Sequence, residues 1–390
     1  MKSYRQMKYL FQIQFDQITW SAFTFLANLF IAKYYSLEYL GLINLILIFT
    51  YANLNVVKSK YVFPNLVLIQ NDLAGKHNSI KKIKKRTISV VLFLEGITVW
   101  NLIEYLSADI LLSFELTALF LCISVRDVNR TVNIFQNNFL GNSIRNTVAI
   151  CSCVILNVYF QDILDPIEIW LIALLVSMIV EPRGVNEKNT SHHAQVEKNL
   201  LDSSKQRLLV ADSIITQLVN IVSSFIIAKL NPAVMGNIAV NYICIAAVAT
   251  TIGTGITGKI NLNQLNSRIS PRSIFRSYLI IQSILFLNLI LILVLKPIVQ
   301  GYFGNNFSRS DHLILFVFLL YSTILLAQFY AFPIFMNCSY LKFVLFRLVS
   351  FCANYFLPIA LVTHLSVKVI NLTQLVLYLF LLLFARRSWI

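Results

Sequence analysis

Long apolar runs alternate with short polar segments from one end of the chain to the other. Twelve runs stand out: 16–32, 39–57, 87–105, 110–125, 143–160 and 167–180, then 208–228, 233–257, 278–295, 313–332, 343–362 and 367–384. A helix needs about 20 apolar residues to cross the hydrocarbon layer of a membrane. A membrane β-strand would instead alternate polar and apolar residues over ~10 positions, and these runs do not. The pattern predicts an all-α, polytopic membrane protein with about twelve transmembrane helices.

Between the sixth and seventh runs lies a polar stretch, 183–206, rich in Asn, Ser and His. It divides the expected fold into a six-helix bundle over 1–182, a linker, and a second six-helix bundle over 207–390. The halves echo each other. At a shift of 196 positions, Asp16 falls on Asp212, Ile18 on Ile214, and Ile31-Ala32-Lys33 on Ile227-Ala228-Lys229. A short loop and a glycine follow each Ile-Ala-Lys, Gly41 and Gly236, with one residue of slippage. An even number of spans gives both halves the same orientation, so the expected repeat axis runs along the membrane normal, and the seam between such bundles is a path for a transported molecule.

Charge orients the chain. With the N-terminus in the cytoplasm, 27 of the 32 Lys and Arg residues fall on the cytoplasmic side; the other five are Lys33, Lys229, Lys296, Arg309 and Lys368. Positive residues are retained in cytoplasmic loops, and one missed span would invert every later loop. Both termini are therefore expected in the cytoplasm. The basic residues before the first run resemble the start of a signal peptide, but no convincing small-x-small cleavage site follows, so a retained helix is expected. Only 13% of residues are charged and 57% are hydrophobic, too apolar a balance for a soluble domain. The net charge of +15 reflects this topology rather than nucleic-acid binding. The densest basic run, Lys81-Lys82-Ile83-Lys84-Lys85-Arg86, suits retention on the inner side or contact with acidic lipids.

Catalytic patterns are scarce. His77, His192, His193, His312 and His364 stand in loops or at helix ends without partners at metal-ligand spacing, and the six cysteines lie in or beside apolar runs. The stretch 253–259 approaches a P-loop, but Ile260 occupies the place of the magnesium-binding Ser or Thr; glycines for close helix packing explain it better. The expectation is a carrier rather than an enzyme, with no cofactor or metal.

Ionisable residues in the apolar runs carry more information, since a charge at a helix centre costs about 2.5–3.5 kcal/mol on insertion scales. Glu95 and Glu115 lie inside the third and fourth runs. Arg126, Arg130 and Arg145 bracket the turn between the fourth and fifth, and Lys58, Lys60, Lys259 and Arg347 mark other inner helix ends. Together these seven cations are the candidate substrate-binding residues, because Arg forms paired bonds to phosphate oxygens. Asp16 and Asp212 are the candidate coupling sites for a proton or sodium ion.

The segment Phe25-Leu26-Ala27-Asn28-Leu29-Phe30-Ile31-Ala32-Lys33, followed by Leu37-Glu38-Tyr39-Leu40-Gly41, resembles the first helical hairpin of Wzx-type polysaccharide repeat-unit flippases. These belong to the multidrug/oligosaccharidyl-lipid/polysaccharide exporter superfamily. The echo at Ile227 to Gly236 and the basic stretch from Arg126 to Arg145 are similar to that family too, and length and repeat agree over the whole chain. Asp16 departs from it, standing where a basic residue is usual. The resemblance implies alternating-access transfer of a polyprenyl-pyrophosphate-linked oligosaccharide across a bacterial inner membrane. The partners it implies are that lipid-linked sugar, membrane lipids and other polysaccharide-assembly proteins. A drug or cation antiporter of the same superfamily, or a membrane-embedded polymerase or ligase, are the alternatives.

Overall fold

The computed structural model describes residues 2–57, 76–105, 110–135, 139–180, 203–250, 252–253, 256–257, 271–304, 311–337, 339–362 and 366–387. Among them the chain is helical, with no strand. The helices are α1 (Lys2–Tyr34), α2 (Leu37–Val57), α3 (Lys76–Tyr105), α4 (Ile110–Phe135), α5 (Phe139–Phe160), α6 (Pro166–Ile179), α7 (Ser203–Leu230), α8 (Pro232–Ile245), α9 (Pro271–Val294), α10 (Lys296–Phe303), α11 (Asp311–Asn337), α12 (Tyr340–Ala360) and α13 (Val367–Arg387). Every apolar run of the sequence falls on one of these helices or begins in one. Most of the linker, His192 and His193 lie outside the described residues, as do Lys58, Lys60 and Lys259.

Among the described residues, six helices are long and apolar enough to cross a membrane: α2, α5 from Leu140, α9 from Arg272, α11 to Phe335, α12 and α13. Pro166–Ile179, Ile214–Leu230 and Pro232–Ile245 are apolar but shorter. The shortfall from twelve has a physical source. The helices α1, α3 and α4 carry charge within their length, at Asp16, Glu95 and Arg126 among others, which lowers their hydropathy. On the apolar helices much of the surface is greasy, as at Phe286, Leu287 and Leu291 of α9 and Leu372, Val376 and Leu383 of α13. A helix that exposes such a face meets lipid rather than water. The protein is a multi-pass helical membrane protein.

Two helices reach further than their apolar runs. The basic run before residue 87 belongs to the first turns of α3 rather than to a loop, consistent with the good helix propensity of Lys and Arg. Likewise α1 begins at Lys2 and spans 33 residues, or about 50 Å at 1.5 Å per residue. On the predicted outer side, α6 opens with a capping box. Asp165 accepts from the Ile167 amide (3.0 Å) while Glu168 accepts from the Asp165 amide (2.8 Å), and Pro166 occupies the first turn. The acidic residues Asp165 and Glu168 thus form a helix start.

Packing groups the chain into two compact units: Met1–Ala27 with Ile46–Ile221, and Asn28–Leu45 with Val222–Ile390. In the first, α4 is the central helix, packed on α3, α5 and α6. Its contact with α3 joins two four-residue ladders. Thr87, Val91, Glu95 and Val99 of α3 are fully buried, and so are Leu116, Phe120, Ser124 and Val128 of α4. A four-residue spacing keeps each set on one helix face. Val91 and Val128 meet there, together with Leu54 and Val57 of α2.

In the second unit α11 is central, packed on α8, α9, α12 and α13. A π turn at Cys352–Phe356 in α12 presents Asn354 to it. The Asn354 side chain accepts from Thr323 of α11 (2.6 Å), and Thr323 in turn accepts from Gln374 of α13 (3.0 Å). The two hairpin segments picked out by the sequence repeat also meet in this unit. A Cβ on Gly41 would stand 2.3 Å from the Pro232 carbonyl oxygen, and one on Gly236 would stand 1.9 Å from that of Leu37. Each glycine thus faces the carbonyl four residues before the other, and only residues without a side chain allow the helices so close. The burial also repeats: Ile31, Ala32, Ile227 and Ala228 are buried, whereas Lys33 and Lys229 are exposed. Gly253 presses against Leu325, with 2.8 Å to a built Cβ, as expected of a packing glycine.

Candidate functional site

Three helices of the first unit each carry a polar or aromatic pair four residues apart: Asp16 and Trp20 on α1, Arg126 and Arg130 on α4, Asn142 and Asn146 on α5. Such spacing puts both members of a pair on one face, and the three faces converge. Asp16 Oδ2 accepts from the Arg130 Nε and Nη2 at 2.9 Å each. Asp16 Oδ1 accepts from the Asn146 amide (3.1 Å), which also reaches Thr19 Oγ1 (3.1 Å). The Asn146 carbonyl oxygen accepts from Arg126 Nη2 (2.7 Å), and Arg126 Nη1 donates to Ser177 of α6. Asn146 therefore bridges the carboxylate to the second arginine. The Trp20 ring lies 5.4 Å from the Arg126 guanidinium carbon and 5.9 Å from that of Arg130, within cation–π reach.

Burial is deep. Asp16 is 1% exposed and Arg126 4%. Charges so removed from water persist only when paired and hydrogen-bonded, and here each has several polar partners. Arg145 joins from α5, where its Nε donates to the Val180 carbonyl at the end of α6 (3.0 Å). An arginine at a helix C-terminus satisfies an orphan carbonyl and favours the helix dipole. Arg130 and Arg126 act on the Asp16 carboxylate, and Arg145 lies near enough to Arg126 for their charges to repel, so three cations gather at this point and suit it to an anion.

Of the residues singled out in the sequence, Asp16, Arg126, Arg130 and Arg145 come together. Arg347 belongs to the second unit, on α12, with its guanidinium carbon 5.7 Å from the Phe343 ring. Asp212 is half-buried on α7. Sequence reasoning passed over Trp20, Asn142, Asn146 and Ser177. The recurring four-residue pairs inside otherwise apolar helices were the signal that could have found them.

A second polar spot lies on the α3 face of α4. Glu95 is fully buried, and neither carboxylate oxygen has a hydrogen-bond partner among the described residues. Its polar neighbours are the Ser124 hydroxyl and the Asp127 carboxylate. Among the described residues, no group of three or more His, Cys, Asp and Glu is arranged to hold a metal ion.

An all-helical, multi-pass membrane protein with a buried arginine–carboxylate cluster is the class that fold and site define. No known protein family, curated protein or solved structure matches the chain.

Proposed function

We propose that the protein is a flippase that moves a polyprenyl-pyrophosphate-linked oligosaccharide across a bacterial inner membrane by alternating access. One observation carries this reading: Arg126 and Arg130, held inside a membrane-embedded unit and joined through Asn146 and the Asp16 carboxylate. Asp16 is a placeholder. A pyrophosphate offers the arginines more negative charge and more acceptor oxygens, so it displaces the carboxylate and takes paired bonds from the guanidinium groups. Asn146 and Thr19 then turn to the incoming oxygens. Lys58, Lys60, Lys259 and Arg347, which the sequence sets at inner helix ends, are the further candidate contacts for the head group, and the polyprenyl chain stays in lipid.

The repeat supports transport along a seam. In each unit the central helix is the fourth apolar run of its half, α4 or α11, and it packs on the third and the sixth. Two six-helix bundles of like orientation, with both termini cytoplasmic, would rock about the seam to expose the head group on the far side. Asp16 and Asp212 are the proposed coupling residues.

The test is replacement of Arg126 and Arg130 by Gln, singly and together, in cells that assemble a lipid-linked polysaccharide. Each single variant is expected to lower export at least tenfold and the double variant to abolish it. Repeat units then accumulate on the inner leaflet while membrane insertion persists. Undiminished export by an inserted double variant refutes the assignment.

A further inference from the structure

The end of the second unit that the charge count puts outside carries a basic and aromatic spot of its own. Lys33 stands in the last turn of α1 and is exposed. Its ammonium lies 5.1 Å from the centre of the Tyr34 ring and 5.3 Å from that of Tyr302 in α10. Both distances are within cation–π reach. The rings hold the ammonium by its charge and leave its three N–H donors for an oxygen acceptor. Among the described residues Lys33 forms no ion pair, whereas Lys296, in the first turn of α10, is bound to Asp311.

Apolar surface leads up to this spot. The eight-residue helix α10 joins α9 to α11, and its Ile298 is 70% exposed. Tyr302, four residues on, shares that face. Along α9, Leu279, Phe286, Leu287 and Ile290 are exposed and, with Phe318 of α11, line an open groove of about 460 Å³. The exposed Leu293 and Val294 carry the same stripe on to α10. At the deep end of the groove the Gln282 amide donates to Ser322 of α11 (2.7 Å) and the Ser283 hydroxyl to the Leu279 carbonyl (2.9 Å). From Leu279 to Ile290 the groove follows α9 for about 17 Å at 1.5 Å per residue. That is close to half of the ~30 Å hydrocarbon layer, the depth of one leaflet.

The chemistry is thus sorted by depth: a greasy channel for a chain, then a lysine and a phenol at the level of the head groups. We propose that Lys33 and Tyr302 bind the phosphate of an anionic phospholipid in the outer leaflet, with one of its acyl chains in the groove between α9 and α11. The ammonium gives the phosphate a charge-assisted hydrogen bond and the Tyr302 hydroxyl adds a second donor. Charge selects the lipid class. An anionic head group leaves the phosphate to Lys33, whereas a zwitterionic one brings its own cation, which Lys33 repels. The site lies in the second unit, apart from the arginine cluster, and does not depend on what the protein carries.

The experiment is native mass spectrometry of the purified full-length protein in detergent, titrated with dioleoyl phosphatidylglycerol or dioleoyl phosphatidylcholine. The wild type is expected to hold the first phosphatidylglycerol at least fivefold more tightly than the first phosphatidylcholine. Lys33→Gln abolishes that preference and Lys33→Arg keeps it. Lys368→Gln removes an exposed lysine from the first turn of α13 and leaves the preference intact. Leu287→Trp narrows the groove, so it weakens dioleoyl phosphatidylglycerol several-fold without changing the dihexanoyl form. Equal retention of the two lipids by the wild type overturns the proposal. So does a loss in Lys368→Gln as large as in Lys33→Gln, which would mean that charge alone governs binding, or a Leu287→Trp variant that binds the dioleoyl lipid like the wild type. Displacement of the lipid by millimolar inorganic phosphate would make a free anion the ligand and overturn it as well. Tighter retention of a polyprenyl pyrophosphate than of phosphatidylglycerol, lost in Lys33→Gln, would give the spot to the carried lipid instead. Because none of these measurements reads export, the outcome is separable from that of the arginine variants.

Discussion

At the scale of single residues, the Asp16–Arg130 ion pair decides most. It joins positions 114 apart in the chain and leaves the carboxylate 1% exposed. Removing one partner of a buried pair leaves an uncompensated charge, which costs about 3–5 kcal/mol. Asp16→Asn is therefore expected to lower the unfolding temperature sharply, and Arg130→Gln to do the same. The double variant should recover much of the loss, because neither charge is then stranded. A double-mutant cycle in detergent-solubilised protein measures this, and additive losses would show that the two side chains act independently. Asn146 is expected to be nearly as sensitive, since its one amide serves Asp16, Thr19 and Arg126 together. None of these pairings follows from local sequence. The charges inside apolar runs are visible there, but which distant helix answers them is fixed by tertiary packing.

At the scale of helices, the sequence carried more. The apolar runs give the type and rough position of each helix, because lipid demands internal backbone bonding. Ends were harder to place. The starts of α1 and α3 run through basic segments that hydropathy alone assigns to loops. The reverse occurred at Lys296–Phe303, a stretch between two apolar runs that forms the short helix α10, with Lys296 paired to Asp311 of α11. The paired glycines were legible as a repeat, though not as a mutual contact. Gly236→Val should separate α8 from α2, because added atoms would overlap the Leu37 carbonyl. Overpacking of this kind typically costs about 1–3 kcal/mol. The same substitution at Gly41 is expected to match it within error, since the contact is reciprocal; a large difference in unfolding temperature between the two would argue against that symmetry. Asp165→Ala, which removes the α6 cap, is a milder change of about 1 kcal/mol.

At the scale of the molecule, the two units differ in how they handle polarity. Every charged residue buried among the described ones, Asp16, Glu95, Arg126 and Asp127, lies in the first unit. The second unit buries neutral groups instead, such as Thr323, Asn354 and Gln374. Neutral interhelical hydrogen bonds in membranes average about 0.6 kcal/mol, so single Ala substitutions at these three positions should each change stability modestly. Thermal unfolding of those variants, set beside Asp16→Asn, checks the contrast; equal losses would contradict it.

That asymmetry has a consequence for how the chain enters the bilayer during synthesis. Arg126 cannot be released sideways into lipid on its own, and the asparagine that ties it to Asp16 is made 130 positions after that aspartate. The nascent α1 must wait beside the insertion machinery until α4 and α5 have emerged, and the three then depart as a group. Ribosome-stalled chains ending shortly before Asn146 should accordingly remain cross-linkable to the translocon through α1, while chains extended past α6 should not.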